Sequence, residues 1–383
     1  MNDKHSFQYG WREATLADLV FFQRGFDLTK DIQKEGCVPV ISSSGIQSYH
    51  SEAKVQGPGV VIGRKGSLGT VYFVKSAFWP HDTTLWSKDL KGNNPKFVYY
   101  YLLNINLKKY DVGSSNPTLN RNHIHKIPIY IPSLDIQNKI AQLLEKYDFL
   151  IENNRRRIQL LEESARMLYK EWFVRLRFPG HEHVKVVNGV PEGWERKCAY
   201  DILDILSGGT PKTAVPEYWN GEIPFFTPKD STDYSYVYET EKNLTEKGIR
   251  SCTSQLYAKN TIFITARGTV GKINLAQAKM AMNQSCYALK LREPLNQFFG
   301  YFALLEEVKQ LKSKAVGSVF DAIIKNTFKH IFLLVPPLYL VDSFTEYASN
   351  ILMQVDAIST QNRKLALARD LLLPKLMNGE VAV

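Results

Sequence analysis

Val60-Val61-Ile62-Gly63-Arg64-Lys65-Gly66-Ser67-Leu68-Gly69 and Ile262-Phe263-Ile264-Thr265-Ala266-Arg267-Gly268-Thr269-Val270-Gly271 are two versions of one strand and turn, 202 residues apart. In both, an apolar run ends in a basic residue and a pair of glycines at matched positions. Further matches lie on either side. Gly10-Trp11 returns as Gly193-Trp194 at an offset of 183, and His81-Asp82-Thr83 falls on Asn283-Gln284-Ser285 at 202. Gly113-Ser114 meets Gly317-Ser318 and Ile131-Pro132 meets Val335-Pro336, both at 204. The offset only grows along the chain, as expected of a duplicated unit whose second copy gained loop insertions.

Each copy has two parts. Short β-branched and aromatic runs, punctuated by Gly, Pro and Asn, read as strands and turns. A long helix then follows closely on a proline. In the first copy Ile136, Ile140, Leu143, Tyr147, Leu150, Asn154, Arg157, Leu161, Ser164 and Leu168 alternate spacings of four and three. In the second, Phe344, Ala348, Ile351, Val355, Ile358, Asn362, Leu365, Arg369 and Leu372 do the same. That is a heptad seam. Its expected contacts are Leu143, Leu150, Asn154, Leu161 and Trp172 on one helix and Ile351, Ile358, Asn362 and Leu372 on the other. One Asn in each seam suits register control at a cost in stability, so leucine at either position is expected to raise the melting temperature.

The expected architecture is mixed α/β (α+β): two similar globular domains joined by two long helices packed as an antiparallel coiled coil, with pseudo-two-fold internal symmetry. The boundaries expected are 1–132 for the first domain, 133–178 for the central helix, 179–336 for the second domain with a short lead-in, and 337–383 for the C-terminal helix. A helix of about 36 residues spans ~54 Å. Two domains held apart by such a rod suit two half-sites on one duplex.

The 383 residues are 44% hydrophobic, enough for two cores. Lys and Arg number 48 against 38 Asp and Glu, a formal charge of +10, which favours a polyanionic partner. Cys37, Cys198, Cys252 and Cys286 are too scattered for a zinc site or a disulfide framework. The first residues lack the apolar stretch of a leader, and no apolar run is long enough to span a bilayer, so a cytoplasmic protein is expected.

Catalytic patterns fail on inspection. Ala266 to Ile273 follows a strand like a phosphate loop, but Ala266 and Ile273 stand where Gly and Ser or Thr are needed. Asn116-Pro117-Thr118-Leu119 lacks the aromatic that stacks a flipped base. Glu307-Val308-Lys309 lies in a predicted helix with no acidic partner. His81 and Asp82 could exchange protons, but Asn283 and Gln284 at the matched positions cannot, whereas all four can hydrogen-bond to base edges. No metal site or cofactor is expected on the chain. The residues expected to touch DNA are Ser43, Ser44, Arg64, Lys65, Ser67, His81, Asp82 and Ser114 in the first copy. In the second they are Thr210, Lys212, Thr227, Lys229, Arg267, Thr269, Lys272, Asn283, Gln284 and Ser318. All lie in small polar or glycine-bearing turns where backbone can approach phosphate.

With the repeat and both helices, the chain resembles the specificity subunit of a type I restriction–modification system along essentially its whole length. The most telling stretches are Leu168-Tyr169-Lys170-Glu171-Trp172-Phe173-Val174-Arg175-Leu176-Arg177-Phe178-Pro179-Gly180-His181-Glu182 and Arg369-Asp370-Leu371-Leu372-Leu373-Pro374-Lys375-Leu376-Met377-Asn378-Gly379-Glu380. Ser207-Gly208-Gly209-Thr210-Pro211-Lys212 is similar to the opening turn of that family's target recognition domains, whereas the first copy has Gln23-Arg24-Gly25-Phe26-Asp27. The resemblance implies two target recognition domains that read a bipartite double-stranded DNA sequence. It implies paired helices that dock two modification subunits carrying S-adenosylmethionine chemistry, and a restriction subunit that uses ATP and Mg. The competing expectation is a helical scaffold for proteins without sequence-specific DNA binding.

Overall fold

The computed structural model of the chain describes residues 10–29, 31–113, 117–314 and 322–383. Two compact units emerge: Met1–Glu152 with Arg363–Val383, and Asn153–Asn362. The strands of the first are β1 (Trp11–Thr15), β2 (Phe21–Arg24), β3 (Val38–Ser42), β4 (Gly45–His50), β5 (Gly59–Gly63), β6 (Val71–Val74), β7 (Trp79–Pro80), β8 (Thr84–Asp89) and β9 (Pro128–Pro132). Its helices are α1 (Leu16–Leu19), α2 (Pro95–Asn104), α3 (Arg121–Ile124) and the first half of α4 (Leu134–Tyr169). The order β2-β8-β5-β6 forms an antiparallel sheet, and β4-β3-β7 a smaller one in which β7 runs parallel to β3. β1 closes on β9 from Trp11↔Pro132 to Thr15↔Pro128. β5 is buried along its whole length, as its unbroken apolar run requires of a central strand. α2 begins where the Asn94 side chain accepts from the N–H groups of Lys96 and Phe97, with Pro95 as its first residue. Phe22, Val60, Ile62 and Phe97 share a core with Ile140, Ala141 and Leu144 of α4 and with Leu376 and Met377 near the chain end. Phe22 and Phe97 are fully buried, and truncating either to Ala costs about 3–5 kcal/mol.

The second unit repeats this plan. After a small hairpin, β10 (Val186–Val187) with β11 (Val190–Pro191), come β12 (Glu195–Cys198), β13 (Leu203–Ser207), β14 (Trp219–Phe226), β15 (Tyr236–Val237), β16 (Asn243–Leu244), β17 (Ile262–Thr265), β18 (Ile273–Ala276), β19 (Ala281–Met282), β20 (Cys286–Leu291) and β21 (Phe332–Val335). The helices are α5 (Ala199–Ile202), α6 (Glu246–Arg250), α7 (Gln297–Lys314) and most of α8 (Leu338–Met377). The sheets are β13-β20-β17-β18-β15 and β16-β14-β19, with β12 on β21. Strand for strand this is the first unit plus β15. Registers agree as well: Gly63↔Thr84 in one unit is Thr265↔Cys286 in the other. The growing offset therefore has a structural cause. The loop from β14 to β16 is longer than that from β3 to β4 and adds β15 to the sheet edge, and the loop from β16 to β17 is longer than that from β4 to β5 and holds α6.

In each unit segments of α4 and α8 run antiparallel. In the first, Arg369 meets Asp148 at 2.7 Å and Lys139 reaches the Val383 carbonyl at 3.2 Å. In the second, Asn154 donates to Asn362 Oδ1 at 2.9 Å, and further along α4 the ring of Trp172 lies 6.2 Å from that of Phe344. The period of the seam stands, but its phase on α4 needs correction. Gln137, Ile140, Ala141, Leu144, Ile151, Asn154, Ile158, Glu162, Ala165 and Tyr169 are buried, mostly one residue beyond the expected set. Leu150 faces solvent at 44% exposure, and Leu143 and Leu161 are half-buried. α4 packs against globular side chains as well as α8, so its buried face is wider than a two-helix seam and takes in Ala141 and Ala165. On α8 the expected phase holds, with Ile358 buried and Ile351, Asn362 and Leu372 partly so.

Candidate nucleic-acid interface

In the first unit three turns converge on Thr83. Its carbonyl accepts the backbone N–H of Arg64 at 2.8 Å and of Lys65 at 3.1 Å, and its hydroxyl accepts the N–H of Ser43 at 3.3 Å. His81 donates its N–H to the Ile41 carbonyl at 2.8 Å. Ser43, Arg64, Lys65, Ser67, His81 and Asp82 thus form one patch. Ser44, Lys65 and Ser67 are exposed. Ser43 is only 8% exposed and its carbonyl holds the Thr70 hydroxyl at 2.7 Å, so it fastens the turns together. The Asp82 carboxylate takes the Arg24 guanidinium at 3.1 Å and lies 2.9 Å from His81 Nδ1. Ser114 lies outside the described residues.

The second unit repeats these backbone bonds with other side chains. The Ser285 carbonyl accepts the N–H of Ala266 at 2.8 Å and of Arg267 at 3.3 Å, and Asn283 donates its N–H to Phe226 at 2.9 Å. Thr269 ties in the neighbouring turn through its hydroxyl, 3.2 Å from the Pro228 carbonyl. The Thr210 hydroxyl donates to the Gln284 side-chain oxygen. Thr210, Lys212, Lys229, Arg267, Thr269 and Gln284 are exposed, and Asn283 is half-buried. Arg267 has no ion-pair partner among the described residues. Lys272 is held by Asp233 at 3.0 Å and Lys229 by Glu241 at 3.9 Å. Thr227 closes its own turn, its N–H and hydroxyl both donating to Asp230 at 2.8 and 2.6 Å. Ser318 lies outside the described residues.

The opening turns are the same device despite their different sequences. A Cβ on Gly25 would stand 2.1 Å from the His81 carbonyl oxygen, and one on Gly208 would stand 2.2 Å from that of Asn283. Only glycine lets the chain pass there. One interior hydroxyl has changed sides between copies. Thr70 fills the space over the glycine turn in the first, opposite Gly63; in the second, Thr265 supplies the hydroxyl and frees position 272 for a lysine.

Sequence reasoning missed Arg24, Arg121 and Lys312. Arg24 could have been found because it precedes Gly25 as Ser207 precedes Gly208; the other two carry no local signal. Burial, and then the neighbouring Arg24 charge, hold Arg64 below the usual guanidinium range. Lys312 is lowered by burial and then by Lys272, and it donates to the Gly271 carbonyl at 3.0 Å. Among the described residues no cluster of His, Cys, Asp and Glu could hold a metal ion, and no helix is long and apolar enough to cross a membrane.

A family model for the type I restriction modification DNA specificity domain matches residues 9–163 and again 191–367. The chain is 30% identical over 154 residues to the specificity subunit of type I restriction enzyme MjaIX of Methanocaldococcus jannaschii, covering 39% of this chain and 36% of that protein. It is 23% identical over 355 residues to the HindI specificity subunit of Haemophilus influenzae, covering 75% and 77%. It therefore spans about a third of the first relative and three quarters of the second. Among solved structures, a type I restriction–modification S subunit from M. genitalium shares the fold, with a TM-score of 0.62 at 17% identity over 98% of each chain.

Proposed function

This chain belongs to the type I restriction modification DNA specificity family, and on that premise we propose that it reads the two halves of a bipartite double-stranded DNA target, one with each copy. One observation carries the reading. The same convergence of turns is built twice on identical backbone bonds, while His81, Asp82, Arg64 and Thr70 give way to Asn283, Gln284, Ala266 and Lys272. A constant frame with changed donors and acceptors is what two different half-sites require. His81, Asp82, Asn283 and Gln284 read bases. Lys65 and Lys272 hold phosphates, since lysine is a flexible point charge without arginine's fork. In this reading the target recognition domains are residues 1–132 and 179–336, the helices 133–178 and 337–383 space them, and the protein works in the cytoplasm.

The chain carries no chemistry of its own. Two modification subunits supply methyl transfer from S-adenosylmethionine, and restriction subunits cleave DNA with ATP and Mg. Exposed apolar side chains on the long helices, Phe149 and Leu371 in the first unit and Met167 and Met353 in the second, suit docking of such partners. The test is recovery of bound sequences from random DNA by the chain with its modification subunits, at several salt concentrations. A two-part motif whose affinity falls steeply with salt is expected. Binding without a motif, or with no salt dependence, returns the chain to the scaffold reading.

A further inference from the structure

Beside the Thr83 patch in the first unit lies an open cleft of about 330 Å³, lined by Arg24, Arg64 and Arg121 with Leu85, Val112 and Leu119. None of the three arginines was needed to build the fold's core, and their countercharge is thin. Arg24 has Asp82 at 3.1 Å and the exposed Asp27 at 3.4 Å. Asp82 is itself shared with His81. Arg64 reaches only the Asp82 backbone carbonyl, at 3.5 Å. Neither Arg64 nor Arg121 has a carboxylate in ion-pair contact among the described residues. Three guanidinium groups against two carboxylates, both on Arg24, leave a surplus of positive charge in a partly desolvated hollow, which an oxyanion would neutralise. Val112 gives the hollow an exposed apolar edge, with Leu85 and Leu119 buried beneath it.

The second unit does not rebuild this cleft. Ala266 stands where Arg64 does, since each donates its N–H to the matched carbonyl, of Ser285 or of Thr83. The carbonyls of Arg64 and Ala266 also accept from Leu119 and Ile323, which puts Lys325 at the place of Arg121. Ser207, preceding Gly208, replaces Arg24. One cation remains of three.

We infer that the Arg24–Arg64–Arg121 cleft is a phosphodiester clamp: it grips one backbone phosphate of the DNA beside the first half-site, with the adjoining deoxyribose against the exposed Val112. This rests on the DNA-binding reading above and adds to it a fixed anchor that only one copy has. Arginine forks match phosphate oxygens two at a time, and such a contact sets register on the duplex without reading sequence.

The test compares Arg121→Ala, Arg64→Ala and Arg121→Lys in the full chain assembled with its modification subunits, using duplex DNA across a salt series and selection from random DNA. Arg121 is exposed, so its loss should leave the melting temperature unchanged. Arg121→Ala and Arg64→Ala should each weaken binding to every sequence alike and flatten the log–log salt slope by about one, with the selected motif intact; Arg121→Lys should restore part of the slope. An unchanged slope in both alanine variants overturns the clamp while DNA binding itself stands. A changed motif in the first half assigns the cleft to base reading and also overturns it. Inorganic phosphate and ATP, titrated without DNA, should show no saturable binding; tight binding of either would make the cleft a site for a free anion instead. A wild-type chain that binds no DNA would end the functional reading before the clamp is reached.

Discussion

Asn362→Leu should destabilise the second unit, and Asn154→Leu should not. Asn154 is 5% exposed, and its amide donates to Asn362 Oδ1 at 2.9 Å and to Gln361 Oε1 at 3.4 Å. Asn362 is only half-buried. Leucine at 362 removes the good acceptor and leaves a buried amide with one long contact, a loss of about 1–3 kcal/mol. In a unit of about 200 residues each kcal/mol moves the melting temperature by roughly 2–4 °C, so a drop of ~2–12 °C is expected. Leucine at 154 removes the buried amide itself, while Asn362 keeps its access to water. Burying the leucine contributes about 1.5–3 kcal/mol against about 0.5–1.5 for the lost hydrogen bond, a net gain near 1 kcal/mol. The expectation from sequence that either leucine stabilises is thereby revised, because the two positions differ in burial. The double variant should melt at least as high as Asn154→Leu and, with no polar pair to hold register, admit other helix pairings. Thermal melts of the full chain, with light scattering to follow association, decide it. Asn362→Leu melting at or above wild type, or Asn154→Leu falling as far as Asn362→Leu, would refute the seam geometry.

Arg267→Ala should weaken DNA binding by ~1–3 kcal/mol with relaxed preference in one half-site if its fork meets a base edge, or lower the salt slope by about one at constant motif if it meets phosphate; no change in either measurement excludes it from the interface. The pair Asn283→Ala and Gln284→Ala should alter the selected motif in one half only, and a change in both halves or in neither would remove them as base readers. Burial pushes the Glu162 carboxyl above its ordinary value of 4.5, against the Ser235 hydrogen bonds and the Arg166 charge that lower it. A carboxyl raised on folding contributes stability that is present below its unfolded value and lost as pH rises through the folded one. Glu162→Gln, whose amide oxygen can still accept the Ser235 N–H, should therefore gain on wild type as pH rises from about 4 to 8; parallel stability curves would show that Glu162 does not titrate in that window.

The duplication, the two long helices and the turns beside each strand end were legible in the residues alone, because an ordered set of matches and a sustained helical period are properties of the chain itself. The phase of the α4 seam was not. A stretch rich in leucine reads as a leucine seam, and only packing against both α8 and the globular core shows that Ile151 and Ile158 turn inward while Leu150 meets water. The convergence on Thr83 and Ser285 was half legible: the sequence marked the turns, but their joining depends on hydrogen bonds between segments far apart in the chain. The arginine cleft lay beyond sequence altogether. Arg24, Arg64 and Arg121 belong to three separated segments with no shared motif, and only the folding of a strand end, a glycine turn and a short helix onto one another sets their charges side by side.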